Sequence, residues 1–149
     1  MLIKVNGEVH HPGIYEVPAN ILAATVIKMA IPVRLFGLDN NETVATVPLR
    51  NGQAVTLATS PDGKHLITVD PMTVPERMIL GIPLDISYMS EADFDRLPGI
   101  GPALARRIVV YRQLNGGILR FDDLAAIEGM GKKKLELIRK VVQPAVIYK

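Results

Sequence analysis

The feature that most restricts the fold is an internal repeat in the C-terminal half of the chain. Shifted by 30 residues, the sequence aligns with itself: Leu97 on Ile127, Gly99 on Gly129, Ile100 on Met130, Gly101 on Gly131, Ala105 on Leu135 and Ile108 on Ile138. Each copy reads as a short helix, an apolar residue, Gly-apolar-Gly and a second helix. One copy is too small to bury its own apolar face, so two copies are expected to pack together as a four-helix domain. Start and stop signals agree with this division. Ser90-Glu91-Ala92-Asp93 has capping-box spacing, with Asp in place of Glu, ahead of a short helix to Leu97. Pro102 suits the first position of a helix running to about Leu114, where Asn115-Gly116-Gly117 ends it. Asp122 is the expected cap of a third helix through Ile127, and residues 132–142 form the fourth.

The N-terminal half follows another rhythm. Residues 2–9 and 13–17 alternate apolar and polar side chains around Pro12-Gly13, which predicts a first hairpin. Residues 20–31 have helical spacing, with Asn20 as cap and Pro32 as stop. Strand-like patches follow at 33–36 and 43–47. Residues 53–59 and 65–70 flank Ser60-Pro61-Asp62-Gly63, whose Asp-Gly pair predicts a second hairpin. Residues 71–89 carry Pro71, Pro75 and Pro83 around a short helix at 75–80, with too many apolar residues for a solvated tether. The fold class is therefore α+β. The expected divisions are a strand-rich domain at 1–70, a packed linker at 71–85 and an all-helical domain at 86–149.

Composition removes several classes of function. With 149 residues, 48% of them hydrophobic, the chain is not disordered and can bury one moderate core or two small ones. The absence of Cys excludes a disulfide framework, a thiolate zinc site and a Cys nucleophile. His10 and His11 point to opposite faces of a strand, and only His65 lies elsewhere, a poor set for a metal. No nucleophile, base and orienting group come together in the sequence, so an enzyme is not expected and no cofactor is assigned. Gly99-Ile100-Gly101 is not a dinucleotide fingerprint, because the third glycine and the preceding strand are missing, and Gly131-Lys132 lacks the surroundings of a P-loop. The N-terminal MLIKVNGEVHHPG has no signal-peptide pattern, and the longest apolar run is broken by Lys28 and Pro32.

The net charge of +2 is uninformative as a total but unevenly placed. Residues 132–149 hold six Lys/Arg against one Glu. Lys132, Lys133 and Lys134 occupy the first turn of a helix, where the macrodipole favours Asp or Glu. Cations placed there are explained by an anion sitting in front of them. A Gly-apolar-Gly turn lets the backbone approach such an anion closely, with unpaired amides at the helix N-terminus facing it. Two such sites related by a pseudo-twofold match the two phosphate backbones of a duplex, and no segment offers a recognition helix for base edges.

LPGIGPALARRIVVYR (97–112) and IEGMGKKKLELIRKVV (127–142), joined by NGGILRFDDLAA, resemble the paired helix-hairpin-helix domain of the ComEA competence DNA receptors. IKVNGEVHHPGIYEV is similar to the start of the SLBB domain, a β-grasp-like ligand-binding module, through Gly7, Val9, Pro12, Gly13 and Tyr15. The resemblance implies a small SLBB-like domain followed by an all-α paired helix-hairpin-helix domain. It also implies a non-enzymatic receptor that holds double-stranded DNA during uptake in natural transformation. The implied DNA contacts fall at Gly99, Ile100, Gly101, Ala103, Arg106, Gly129, Met130, Gly131, Lys132, Lys133 and Lys134. Carbonyls of Leu97 and Ile100 match positions that hold a monovalent cation in some related turns. The N-terminal domain is expected to meet a ligand or an envelope protein. Localisation is extracytoplasmic if a signal segment precedes this chain, and cytoplasmic otherwise. Two rivals stand beside this reading: a protein-interaction scaffold without DNA binding, and an accessory protein of DNA repair or recombination.

Overall fold

Alternation along the first strand sets the first unit. In β1 (Leu2–Gly7), Ile3 and Val5 are fully buried while their neighbours are not. The computed structural model describes residues 1–34 and 42–142, with 42 and 43 described by backbone only. β1 pairs antiparallel with β2 (Gly13–Glu16), Ile3 opposite Tyr15. On its other edge it pairs parallel with β3 (Gln53–Thr59), Val5 opposite Val55. β3 turns back through the Asp-Gly hairpin into antiparallel β4 (His65–Pro71). The resulting sheet has the order β2-β1-β3-β4. A parallel β1–β3 pair requires a crossover connection, and the crossover carries α1 (Ala23–Met29), which buries Ala23, Ala24, Val26 and Ile27. Gly7 is obligatory at the end of β1. Its φ is +87° and a Cβ there would lie 2.0 Å from the carbonyl oxygen of Leu57.

Three expectations for this unit are corrected. The helix expected over 20–31 spans only Ala23–Met29, and Asn20 does not cap it. Asn20 takes a left-handed φ of +63°, and residues 21–22 are drawn into extended pairing, with Leu22 bridging Pro48 and Ile21 accepting the amide of Leu49 at 2.8 Å. The strand-like patch at 43–47 is instead a single helical turn, α2 (Glu42–Ala45). Adjacent Val44 and Ala45 both face the core, which the alternation of a strand forbids. In the other patch, 33–36, Val33 and Arg34 form a bend, while 35 and 36 lie outside the described residues.

The chain divides at Met72/Thr73 into two compact units. The second begins with α3 (Val74–Ile79), which starts one residue before the expected 75 because Thr73 and Glu76 form a reciprocal capping box. Residues 82–89 pass through a bridge at Leu84 and a turn at 86–88, burying Ile82, Leu84, Ile86 and Met89. Leu84 donates its amide to the carbonyl of Val141 at 2.8 Å and pairs with Val142, which is why the last helix, α6 (Lys132–Arg139), stops short of 142. Between them lie α4 (Glu91–Asp95), capped by the Ser90–Asp93 box, and α5 (Pro102–Leu114). The third helix of the repeat is a 3-10 helix, Phe121–Ala126, preceded by Arg120. Asp122 is exposed and does not cap it; the carboxylate of Asp123 accepts the Arg120 amide at 2.8 Å.

The repeat is visible in the packing as well as in the letters. Phe94, Leu97, Ile100 and Ile108 are buried, and so are Leu124, Ile127, Met130 and Ile138 at the same offset. All eight belong to one core.

Candidate nucleic-acid interface

Both Gly-apolar-Gly turns adopt the same backbone path. Gly99 has φ +80° and Gly129 φ +94°, conformations that side chains with a Cβ resist. The amide of Ile100 then closes onto the carbonyl of Leu97 at 3.1 Å, and that of Met130 onto Ile127 at 3.0 Å. Gly101 and Gly131 are the N-cap residues of α5 and α6, with φ/ψ of −103°/178° and −82°/168°. Their carbonyls accept the first helical bonds, from Ala105 at 2.9 Å and Leu135 at 3.1 Å. Neither N-cap has a side chain to offer, so the first-turn amides of both helices lack a capping acceptor.

Gly101 and Gly131 differ from Gly99 and Gly129 in what holds them as glycine. At 101 and 131 the backbone is extended, a conformation open to any residue, and a Cβ would meet nothing within 4 Å. The space in front of both is open. At 99 and 129 the left-handed conformation is required and the neighbours are close. A Cβ on Gly99 would lie 3.4 Å from Lys134 Cγ and 3.8 Å from Leu137 Cδ1. On Gly129 it would lie 3.6 Å from Leu104 Cδ1 and 3.3 Å from Arg107 Nη1. Since 104 and 134, like 107 and 137, are related by the repeat, the two halves embrace each other reciprocally. This is pseudo-twofold packing.

Placement of the sequence-nominated residues follows. Gly99, Gly101, Ala103, Arg106, Gly129, Gly131, Lys132 and Lys133 are exposed around the two turns. Ile100 and Met130 are buried, so only their backbone can meet a ligand. Arg106 faces Glu91 at 3.6 Å with a side chain 75% exposed, free to exchange that partner for a phosphate. Lys134 differs from its two neighbours. It is half-buried and turns back to donate Nζ to the carbonyl of Gly129 at 3.0 Å. Arg107, which was not nominated, donates Nη1 to the carbonyl of Glu128 at 3.1 Å. Its one sequence-level signal is its alignment with Leu137. The carbonyl of Leu97 is used by the turn itself, with a second lone pair left over. Among the described residues, no cluster of three or more His, Asp and Glu could hold a metal.

The family model of the helix-hairpin-helix motif matches residues 83–143, and ComE operon protein 1 of Bacillus subtilis (strain 168) is 23% identical over 95% of this chain and 69% of its own length. The chain is thus ComEA-like, with the helix-hairpin-helix motif at residues 83–143. Endonuclease/exonuclease/phosphatase family domain-containing protein 1 from Homo sapiens is 41% identical, and its Danio rerio counterpart 39% identical, each over 56 residues. Those matches cover 38% of this chain and 10% of the vertebrate proteins. In ComEA-like terms, the two turns described above are the two hairpins of the pair.

Proposed function

We propose that this chain is a non-enzymatic DNA-binding protein of competence and DNA uptake, acting outside the cytoplasmic membrane and gripping duplex DNA by its phosphates without reading sequence. The observation that carries the reading is the pair Gly101 and Gly131. Neither glycine is needed by the backbone, both face open space, and each sits beside uncapped amides at a helix N-terminus. A phosphate brought there meets N–H donors at the distance of a hydrogen bond, with the helix dipole behind them. Lys132 and Lys133 add charge at the second hairpin, and Arg106 adds it beside the first.

The N-terminal unit is read as an SLBB-like β-grasp domain. The central parallel β1–β3 pair, the helical crossover and the Gly7 bend support this. Its role is to meet a ligand or envelope partner. Among the described residues no helix is long and apolar enough to cross a membrane. The name of the vertebrate relatives does not transfer to this chain, since they match it over 56 residues only.

Binding of the full chain to two duplexes of unrelated sequence tests the proposal. Equal affinity for both, lost as salt rises, supports it. Strong preference for one duplex contradicts sequence independence, and a complete absence of binding at low salt favours the scaffold alternative.

A further inference from the structure

The two hairpins share a backbone path, yet their carbonyl oxygens are treated differently. At the second hairpin, Glu128 O accepts Arg107 Nη1 at 3.1 Å and Gly129 O accepts Lys134 Nζ at 3.0 Å. Among the described residues, no side chain donates to the carbonyls of Pro98 and Gly99, the equivalent pair at the first. The cations also come from different places. Arg107 belongs to α5, in the first half of the repeat, and reaches across to the second hairpin. Lys134 belongs to α6, but its stem passes the first hairpin, with Cγ 3.4 Å from where a Cβ on Gly99 would stand. Each side chain therefore touches one half of the repeat and is bonded in the other, or spans both.

The second hairpin has a local need for such support. The first follows α4, an α-helix with the full Ser90–Asp93 capping box at its N-terminus. The second follows the 3-10 helix Phe121–Ala126, a type whose hydrogen-bond geometry is poorer than that of an α-helix. Charged donors on two successive carbonyls make up that deficit, because charge-assisted bonds are stronger than neutral ones. They also explain one of the three lysines at the start of α6 without any ligand.

We propose that Arg107 and Lys134 are positioning residues: an internal bracket of two cations that fixes the second hairpin and its distance from the first, so that both sets of amides meet their phosphates together. The role in binding rests on the DNA-binding reading above. Phosphate contact itself falls to the amides and to Lys132 and Lys133, while Arg107 and Lys134 spend their charge on the protein.

The test compares two paired variants of the full chain, Arg107→Met with Lys134→Met and Lys132→Ala with Lys133→Ala, by duplex affinity across a salt series, amide hydrogen exchange without DNA and thermal unfolding. The methionines keep the aliphatic stems and remove the donors. The methionine pair is expected to lose about tenfold in affinity with an unchanged salt slope, as suits the loss of protein–protein rather than protein–phosphate bonds. Exchange should quicken at the amides of Met130 and Leu135, which are bonded to the carbonyls of Ile127 and Gly131, and remain as before in residues 1–72. Arg107→Lys with Lys134→Arg should restore the affinity, which a general loss of packing would not allow. The alanine pair should instead make the slope shallower by about 0.9 per lost contact, with exchange unchanged. A shallower slope in the methionine pair overturns the proposal in favour of direct phosphate contact. Unchanged affinity and unchanged exchange overturn the bracket altogether. If the unmodified chain fails to bind duplex at low salt, the DNA reading and the binding role fall together, and quickened exchange in the methionine pair then assigns the bracket to folding alone.

Discussion

Each hairpin holds two glycines with different duties. Gly99 and Gly129 serve the fold, because their positive φ is costly for any residue with a Cβ. Gly129→Ala is therefore expected to destabilise the second unit by about 1–2 kcal/mol from the left-handed conformation alone, with Arg107 also forced to shift. Gly101 and Gly131 serve the surface. Gly131→Val is expected to cost less than about 1 kcal/mol of stability, the difference between glycine and an apolar residue at an N-cap. On the proposed reading its duplex affinity should nonetheless fall, because the new side chain fills the open space in front of the hairpin that a phosphate would enter. Thermal unfolding and a duplex titration on the two variants separate these duties. Equal unfolding temperatures, or an unaffected titration for Gly131→Val, would contradict the distinction.

At the scale of elements, the segment 82–89 is tied to α5 by Arg112. Arg112 donates Nη1 to the carbonyls of Ile86, Ser87 and Met89 at 3.1, 3.1 and 2.7 Å, and its guanidinium lies 5.9 Å from the centre of the Phe94 ring. Arg112→Met should destabilise the second unit by about 2–3 kcal/mol, since it strips a charged donor from half-buried carbonyls. Ser90→Ala, which removes the cap of α4, should cost about 1 kcal/mol, or roughly 4–8 °C in a unit of this size. Calorimetry of both variants checks the order, and a larger loss for Ser90→Ala would contradict it. These elements differ in how plainly the sequence announced them. The Ser90 box, the start of α5 at Pro102 and the Asp-Gly hairpin were legible because each rests on local chemistry. Long-range pairing set what was not legible. Leu22 is drawn to Pro48 and shortens α1, Val142 is drawn to Leu84 and shortens α6, and the core claims both Val44 and Ala45 and turns an expected strand into a helical turn. No window of a few residues contains those partners. For the site, the repeat located the hairpins, while the inward turn of Lys134 and the reach of Arg107 depended on contacts between halves of the repeat.

At the scale of the whole molecule, a chain with a net charge of only +2 has little general attraction for a polyanion. On the proposed reading, its affinity for DNA comes from a few placed contacts, the uncapped amides of two hairpins and the exposed Lys132, Lys133 and Arg106. That number of contacts is itself a quantity to be measured. Four to six phosphates released from their counterions give a slope of log K against log salt of about −4 to −5. The most direct measurement is this slope, taken with the full chain on two duplexes that share no sequence. The account predicts the same value, within that range, for both. A slope near zero, no binding at about 50 mM salt, or slopes and affinities that differ between the two duplexes would contradict it.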